Sequence, residues 1–63
     1  MKKYMVYIPE TGHYLDRTMC FQPTFKQLCI WHIEKEEIEK IVRIDSERHN
    51  YKYRIVEVKE NVS

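Results

Sequence analysis

Leu28-Cys29-Ile30-Trp31-His32-Ile33, set between Thr24-Phe25-Lys26-Gln27 and Glu34-Lys35-Glu36-Glu37, decides the fold. Thr24 to Gln27 has the S/T-x-x-Q form of a capping box, which would open one long helix over 24–47. On such a helix Leu28, Cys29, Ile30, Trp31 and Ile33 would wrap all round the axis. Lys35, Glu36 and Glu37 would interrupt the seam begun by Phe25, Leu28 and Cys29. The run from Leu28 to Ile33 is also β-branched and aromatic enough for a strand. The preferred reading is a single turn at 24–27, a third strand at 28–33 and a helix from about Glu34 to Glu47. The long helix stands as its alternative.

Beyond Glu34 the helical pattern is clear. Ile38, Ile41, Val42 and Asp45 keep helical spacing. Glu34, Glu36 and Glu37 crowd the first turn, where the helix dipole favours carboxylates, and Arg43 and Arg48 lie towards the far end. Glu36–Lys40 and Glu39–Arg43 are i,i+4 pairs on a solvated face. His49-Asn50 ends the helix, and Tyr51 to Val58 reads as the last strand. Its alternation is imperfect, since Tyr53 and Ile55 oppose Val56 and Val58, so a bulge or a two-sided strand is expected. Glu60 to Ser63 is expected to fray.

Before the deciding stretch, Tyr4-Met5-Val6-Tyr7-Ile8 is a strand of β-branched and aromatic residues stopped by Pro9. Tyr4, Val6 and Ile8 share one face, and Met5 and Tyr7 the other. Pro9-Glu10-Thr11-Gly12 makes a turn in which Gly12 can take φ > 0, and His13 to about Arg17 returns antiparallel. The fold class is therefore α+β: one domain over residues 1–63, with a three- or four-stranded sheet and one helix packed across it. A helix between two strands commonly makes a crossover, so the third and fourth strands are expected to run parallel.

Composition narrows the function. Eleven Lys and Arg against ten Asp and Glu leave a net charge of +1. That balance excludes an acidic mimic of DNA and a protein held to nucleic acid mainly by net charge. With 43% hydrophobic and 13% aromatic residues in 63, the chain can build a core and is not disordered by composition. A chain of this size buries only about 60% of its unfolded surface. No apolar run reaches the roughly 20 residues of a membrane span. Lys2-Lys3 before Tyr4–Ile8 imitates a secretory signal, but the apolar run is too short and no small-residue cleavage site follows. The expected location is the cytoplasm, with Cys20 and Cys29 reduced.

Ala is absent and Gly occurs once, while Ile, Lys, Glu and Tyr are abundant, as in chains encoded by AT-rich bacteria and their phages. Four segments carry a resemblance: Tyr4-Met5-Val6-Tyr7-Ile8; Thr11-Gly12 with Tyr14-Leu15; Glu34-Lys35-Glu36-Glu37-Ile38-Glu39-Lys40; and Tyr53-Arg54-Ile55-Val56-Glu57-Val58. In that order they resemble a group of small uncharacterised phage and prophage proteins of low-GC Gram-positive bacteria. Those proteins have a Tyr-rich hairpin with a Thr-Gly-x-Tyr-Leu turn, an apolar strand ending in Phe, a Glu-Glu-Ala helix and a final Ile-Val-x-Val strand. The resemblance covers most of the chain. His32 stands where Phe would be expected and Ile38 where Ala would, so the helix-to-sheet packing differs. The group offers no shared activity or catalytic residue. The resemblance implies a mobile-element accessory protein, of a kind that often binds and redirects a host protein.

Few residues offer chemistry. His13, Cys20, Cys29 and His32 are all zinc-capable, but their spacing contains no compact C-x2-C or H-x3-H pair. No metal and no cofactor are expected. Cys20 and His13 could pair across the hairpin, yet no Gly-rich oxyanion turn or third orienting group accompanies them. Glu34, Glu36, Glu37 and Glu39 read as helix solubility. No catalytic residue is assigned, and the chain is read as a non-enzyme.

Two binding readings remain. The leading one is a protein-interaction module whose candidate contacts are Tyr7, Tyr14 and Trp31, aromatic types enriched in binding hot spots. One helix covers one face of the first strand, and the other needs a partner, either a host or phage protein or a second copy in a homodimer. The alternative is a small nucleic-acid-binding module. There Arg48, Tyr51, Lys52, Tyr53 and Arg54 interleave cations with aromatics, as in a sheet that stacks bases.

Overall fold

The computed structural model describes residues 2–59. The expected fraying of 60–63 lies outside the described residues. The elements are β1 (Lys3–Ile8), β2 (His13–Leu15), β3 (Phe21–Gln22), a 3-10 turn at Gln27–Cys29, helix α1 (Lys35–His49) and β4 (Arg54–Val58). They make an α+β domain in which one helix packs on one face of a four-stranded antiparallel sheet, in the order β3-β2-β1-β4.

The hairpin forms as its turn chemistry dictates. Gly12 takes φ 72° and donates its N–H to the Ile8 carbonyl at 2.9 Å. Val6 then stands opposite Leu15, Tyr7 opposite Tyr14, and Ile8 opposite His13. β1, apolar on both faces, is one of the two interior strands, and it pairs with β4 over the whole run from Lys3↔Val58 to Tyr7↔Arg54.

The deciding stretch is neither a third strand nor part of a long helix. Gln27–Cys29 turns as 3-10, with no side-chain cap at Lys26, so the capping box at 24–27 does not open a helix. Trp31 alone bridges to the sheet: Tyr4 N–H donates to its carbonyl at 3.0 Å, and its N–H donates to Tyr4 O at 2.7 Å. The cause is the length of β2. It pairs with β1 only from Val6 to Ile8, which leaves the peptide groups of Tyr4 to be satisfied from elsewhere. The chain enters that gap for one residue and then leaves. The third strand of the sheet is Phe21–Gln22, beside β2.

The expected parallel crossover is also overturned. β4 returns antiparallel to β1, on the side that β2 leaves open. It starts at Arg54 rather than Tyr51, and its unbroken register shows a two-sided strand without a bulge.

The helix is capped at Glu34 by backbone alone, its carbonyl accepting from Glu37 N–H at 3.0 Å and Ile38 N–H at 3.2 Å. It ends at Asn50, which takes the left-handed conformation at φ 58° and donates to Ser46 O at 2.7 Å. Its inner stripe is Ile38, Val42 and Asp45, with Ile41 packed beside it. Together with Tyr4, Val6, Leu15 and Trp31 these residues form the core, against which Tyr53 and Ile55 also pack. Ile38, where the resembling proteins place Ala, is fully buried at this junction.

Candidate interaction face

Strand alternation puts two different surfaces on the two sides of the sheet. Along β1, Tyr4, Val6 and Ile8 are buried, Tyr4 and Val6 in the core that the helix closes, while Lys3, Met5 and Tyr7 are only half-buried. The face away from the helix therefore gathers Lys3, Met5 and Tyr7 from β1, Tyr14 from β2, Gln22 from β3, and Arg54, Val56 and Val58 from β4. No carboxylate occupies any of these positions.

The aromatic residues on this side touch one another. Tyr7 and Tyr14 are direct cross-strand partners with ring centroids 5.2 Å apart. Phe25, after β3, closes edge-on against Tyr14 at 5.5 Å and 70°. Phe25 is 43% exposed and Val56 40%, so an apolar patch lies open to water. Met5 stands opposite Val56, and Arg54 opposite Tyr7. The structure thus brings Tyr7 and Tyr14 together.

Trp31 does not join them. It is 4% exposed and lies in the core, where its indole N–H donates to the Leu15 carbonyl at 2.9 Å. Its expected place on an interaction surface is corrected. An indole that spans the gap between β1 and the helix fills more core volume than any other side chain could.

The five residues of the nucleic-acid alternative are also separated. Tyr53 turns inward, and its hydroxyl donates to the Asp45 carboxylate. Burial raises the Tyr53 phenol above its usual range, and the hydrogen bond and negative charge of Asp45 push it the same way. His49 Nε2 approaches the other oxygen of Asp45 at 3.6 Å. Tyr51 stacks on His49 at 6.3 Å and meets Phe21 edge-on at 6.2 Å. Arg48 belongs to the last helical turn, and Lys52 is exposed between the helix and β4. Arg54 alone of the five reaches the open face. The imagined stacking strip is therefore dismantled, because Tyr53 is needed to cover Asp45.

Two features of the site region were missed in the sequence. Phe25 is read from the sequence only as part of the capping box and as the start of a helical seam with Leu28 and Cys29, and nothing in its spacing marks it as part of the aromatic cluster. Asp16 had a signal, an Asp followed two residues later by Thr in a turn-rich segment. Its side chain is sealed from solvent. Oδ1 accepts from Thr18 N–H at 2.8 Å, Thr18 Oγ1 at 2.6 Å and Cys20 N–H at 3.0 Å, and Oδ2 from Gln22 Nε2 at 2.8 Å. Burial alone would raise its pKa, but the bonds from Thr18, Gln22 and Cys20 outweigh that and hold it at about 2. This carboxylate organises the turn that lets Met19 adopt φ 66° and lets β3 return beside β2.

Among the described residues no three of His, Cys, Asp and Glu come together to hold a metal, so His13, Cys20, Cys29 and His32 do not form one site. Cys20 is an exposed free thiol and Cys29 a buried one. No described helix is long and apolar enough to cross a membrane. No family model matches the chain, and no curated protein or solved structure matches it either. The class the fold defines is a small α+β domain with one sheet face covered and one open.

Proposed function

We propose that this chain is a phage- or prophage-type accessory protein of the host cytoplasm that acts without catalysis, by binding another protein through the open face of its sheet. The observation that carries the reading is the contact series Tyr7–Tyr14–Phe25, continued by Met5 and Val56, on a face that no element of the described residues covers. Contiguous exposed apolar surface of this kind marks interaction sites in soluble proteins. The phage origin rests on the resemblance and the composition described above, and the host protein as partner rests on that origin.

The test is affinity capture from host lysate with three baits: the native chain, Tyr7→Ala and Glu36→Ala. The expected outcome is a specific protein retained by the native chain and by Glu36→Ala, insensitive to nuclease, and lost with Tyr7→Ala. Recovery of the same proteins by all three baits counts against the open face.

A second reading is favoured by one observation. Residues 34–49 hold six carboxylates against four cations, while the rest of the chain holds seven cations against four carboxylates. The open face itself carries Lys3 and Arg54 and no carboxylate, and Arg54 stands opposite Tyr7 upon it. A single-stranded nucleic acid stacked on Tyr7 and Tyr14 would bind with an affinity falling steeply with salt. Titration of a labelled oligonucleotide at two salt concentrations separates the readings.

A further inference from the structure

The free edge of β4 is built to pair. The Tyr4–Trp31 bridge shows which way β1 points its peptide groups, because Tyr4 N–H and C=O both bond Trp31 on the β2 side. Ile8 C=O accepts from Gly12 on that same side. The alternate residues Lys3, Met5 and Tyr7 therefore direct their peptide groups to β4, and their partners Val58, Val56 and Arg54 answer them. Ile55 and Glu57 are left pointing outward. Among the described residues β4 pairs only with β1. Edge strands are guarded by Pro, a bulge, very short length or charge. β4 has five residues, no Pro and an unbroken register, and its two charges, Arg54 and Glu57, are of opposite sign.

We propose that β4 pairs antiparallel with β4 of a second copy, about a two-fold axis at Val56. This axis alone pairs all of β4 with itself. Ile55 then stands opposite Glu57 of the other copy, and each such pair exchanges both N–H···O bonds through the groups that point outward. Val56 meets its own symmetry mate as the close, non-hydrogen-bonded pair. Arg54 faces Val58 and Tyr53 faces Lys59, so no charge meets its like. The opposite edge of the sheet, β3, is two residues long, which makes a closed dimer and not a fibre.

The two-fold axis runs through the sheet, so both helices lie on one side and both open faces on the other. The four strands together hold 16 residues, which at about 3.3 Å per residue and about 4.8 Å between strands span roughly 250 Å² on one face. The joined face spans roughly 500 Å², which approaches the ~800 Å² that each partner contributes to a standard interface where a single face does not. This last consequence rests on the binding role proposed for the face, whereas the pairing does not.

The test places single cysteines in a Cys20→Ser background. Val56→Cys is expected to give a disulfide-linked dimer on mild oxidation. Arg54→Cys is expected to give none, because the two copies of residue 54 would lie about 13 Å apart, beyond the reach of a disulfide. By sedimentation the native chain is expected to be a dimer at high micromolar concentration. Glu57→Pro, which deletes an outward N–H, is expected to sediment as a monomer with unchanged helical circular dichroism. Should that variant not fold, Val56→Arg sets like charges across the axis and replaces it. Equal cross-linking at 54 and 56, or a native chain that sediments as a monomer, overturns the pairing. A dimer that captures no protein leaves the pairing standing and overturns the binding role instead.

Discussion

The two faces of this sheet start from similar residues and end in different environments. On one, Tyr4, Val6 and Leu15 are sealed by Trp31, Ile38 and Val42, and Ile8 is buried beside them on the same face of β1. On the other, Met5, Tyr7, Tyr14 and Val56 have only each other and Phe25. Both are apolar, so hydrophobicity alone does not choose between them. The difference is that the covered face meshes Tyr4, Val6 and Leu15 with Trp31 and a helix stripe, while on the open one the tyrosine pair Tyr7–Tyr14 has no helix against it and stays half-buried. Tyr tolerates an exposed edge because its ring is apolar and its tip is wet. A domain with a single helix can seal one face, and the residues of the other must suit either water or a partner.

The largest expected effect breaks the covered face. Ile38→Ala should destabilise by about 2–5 kcal/mol, from lost burial and the cavity left behind. That rivals the whole stability of a small domain, so thermal denaturation should show much of the population unfolded at 37 °C. Asp16→Ala comes next, at about 2 kcal/mol, since it strands the N–H groups of Thr18 and Cys20 at once. The same carboxylate sets an acid limit. Its folded pKa of about 2 lies below its ordinary value of 3.8, so its contribution is complete above pH 4–5 and drains away as pH falls towards 2. Urea midpoints of native chain and Asp16→Ala should therefore converge on acidification. Tyr53→Phe should cost about 1 kcal/mol by removing the hydroxyl that covers Asp45. The smallest stability change belongs to the open face. Tyr7→Ala should shift the denaturation midpoint by about 1 kcal/mol or less, the worth of one aromatic pair, and yet abolish partner capture. A Tyr7→Ala loss as large as that of Ile38→Ala would erase the distinction between the faces.

The elements with strong local signals were legible. The Gly12 turn and the charged helix satisfy their hydrogen bonds through short-range geometry, and Asn50 supplies the left-handed end that the helix required. The first strand is marked by its β-branched and aromatic residues up to Pro9. The Tyr7–Tyr14 pair was half legible, because alternation set Tyr7 on the second face and the hairpin turn set the register. Phe25 was not legible, since its contact with Tyr14 depends on the Asp16 turn and on β3 folding back beside β2.

What the sequence determined by itself was the α+β class, the two-sided first strand and the surplus of aromatics over what one helix can cover. Local periodicity and turn chemistry carry that information without reference to the rest of the chain. Only the tertiary structure decided where 28–33 goes, which aromatics stay exposed and how β4 returns. These depend on competition for unsatisfied peptide groups and core volume. Tyr4 needed a partner where β2 had ended, so Trp31 entered the core, and β4 took the open side of β1, leaving an edge free.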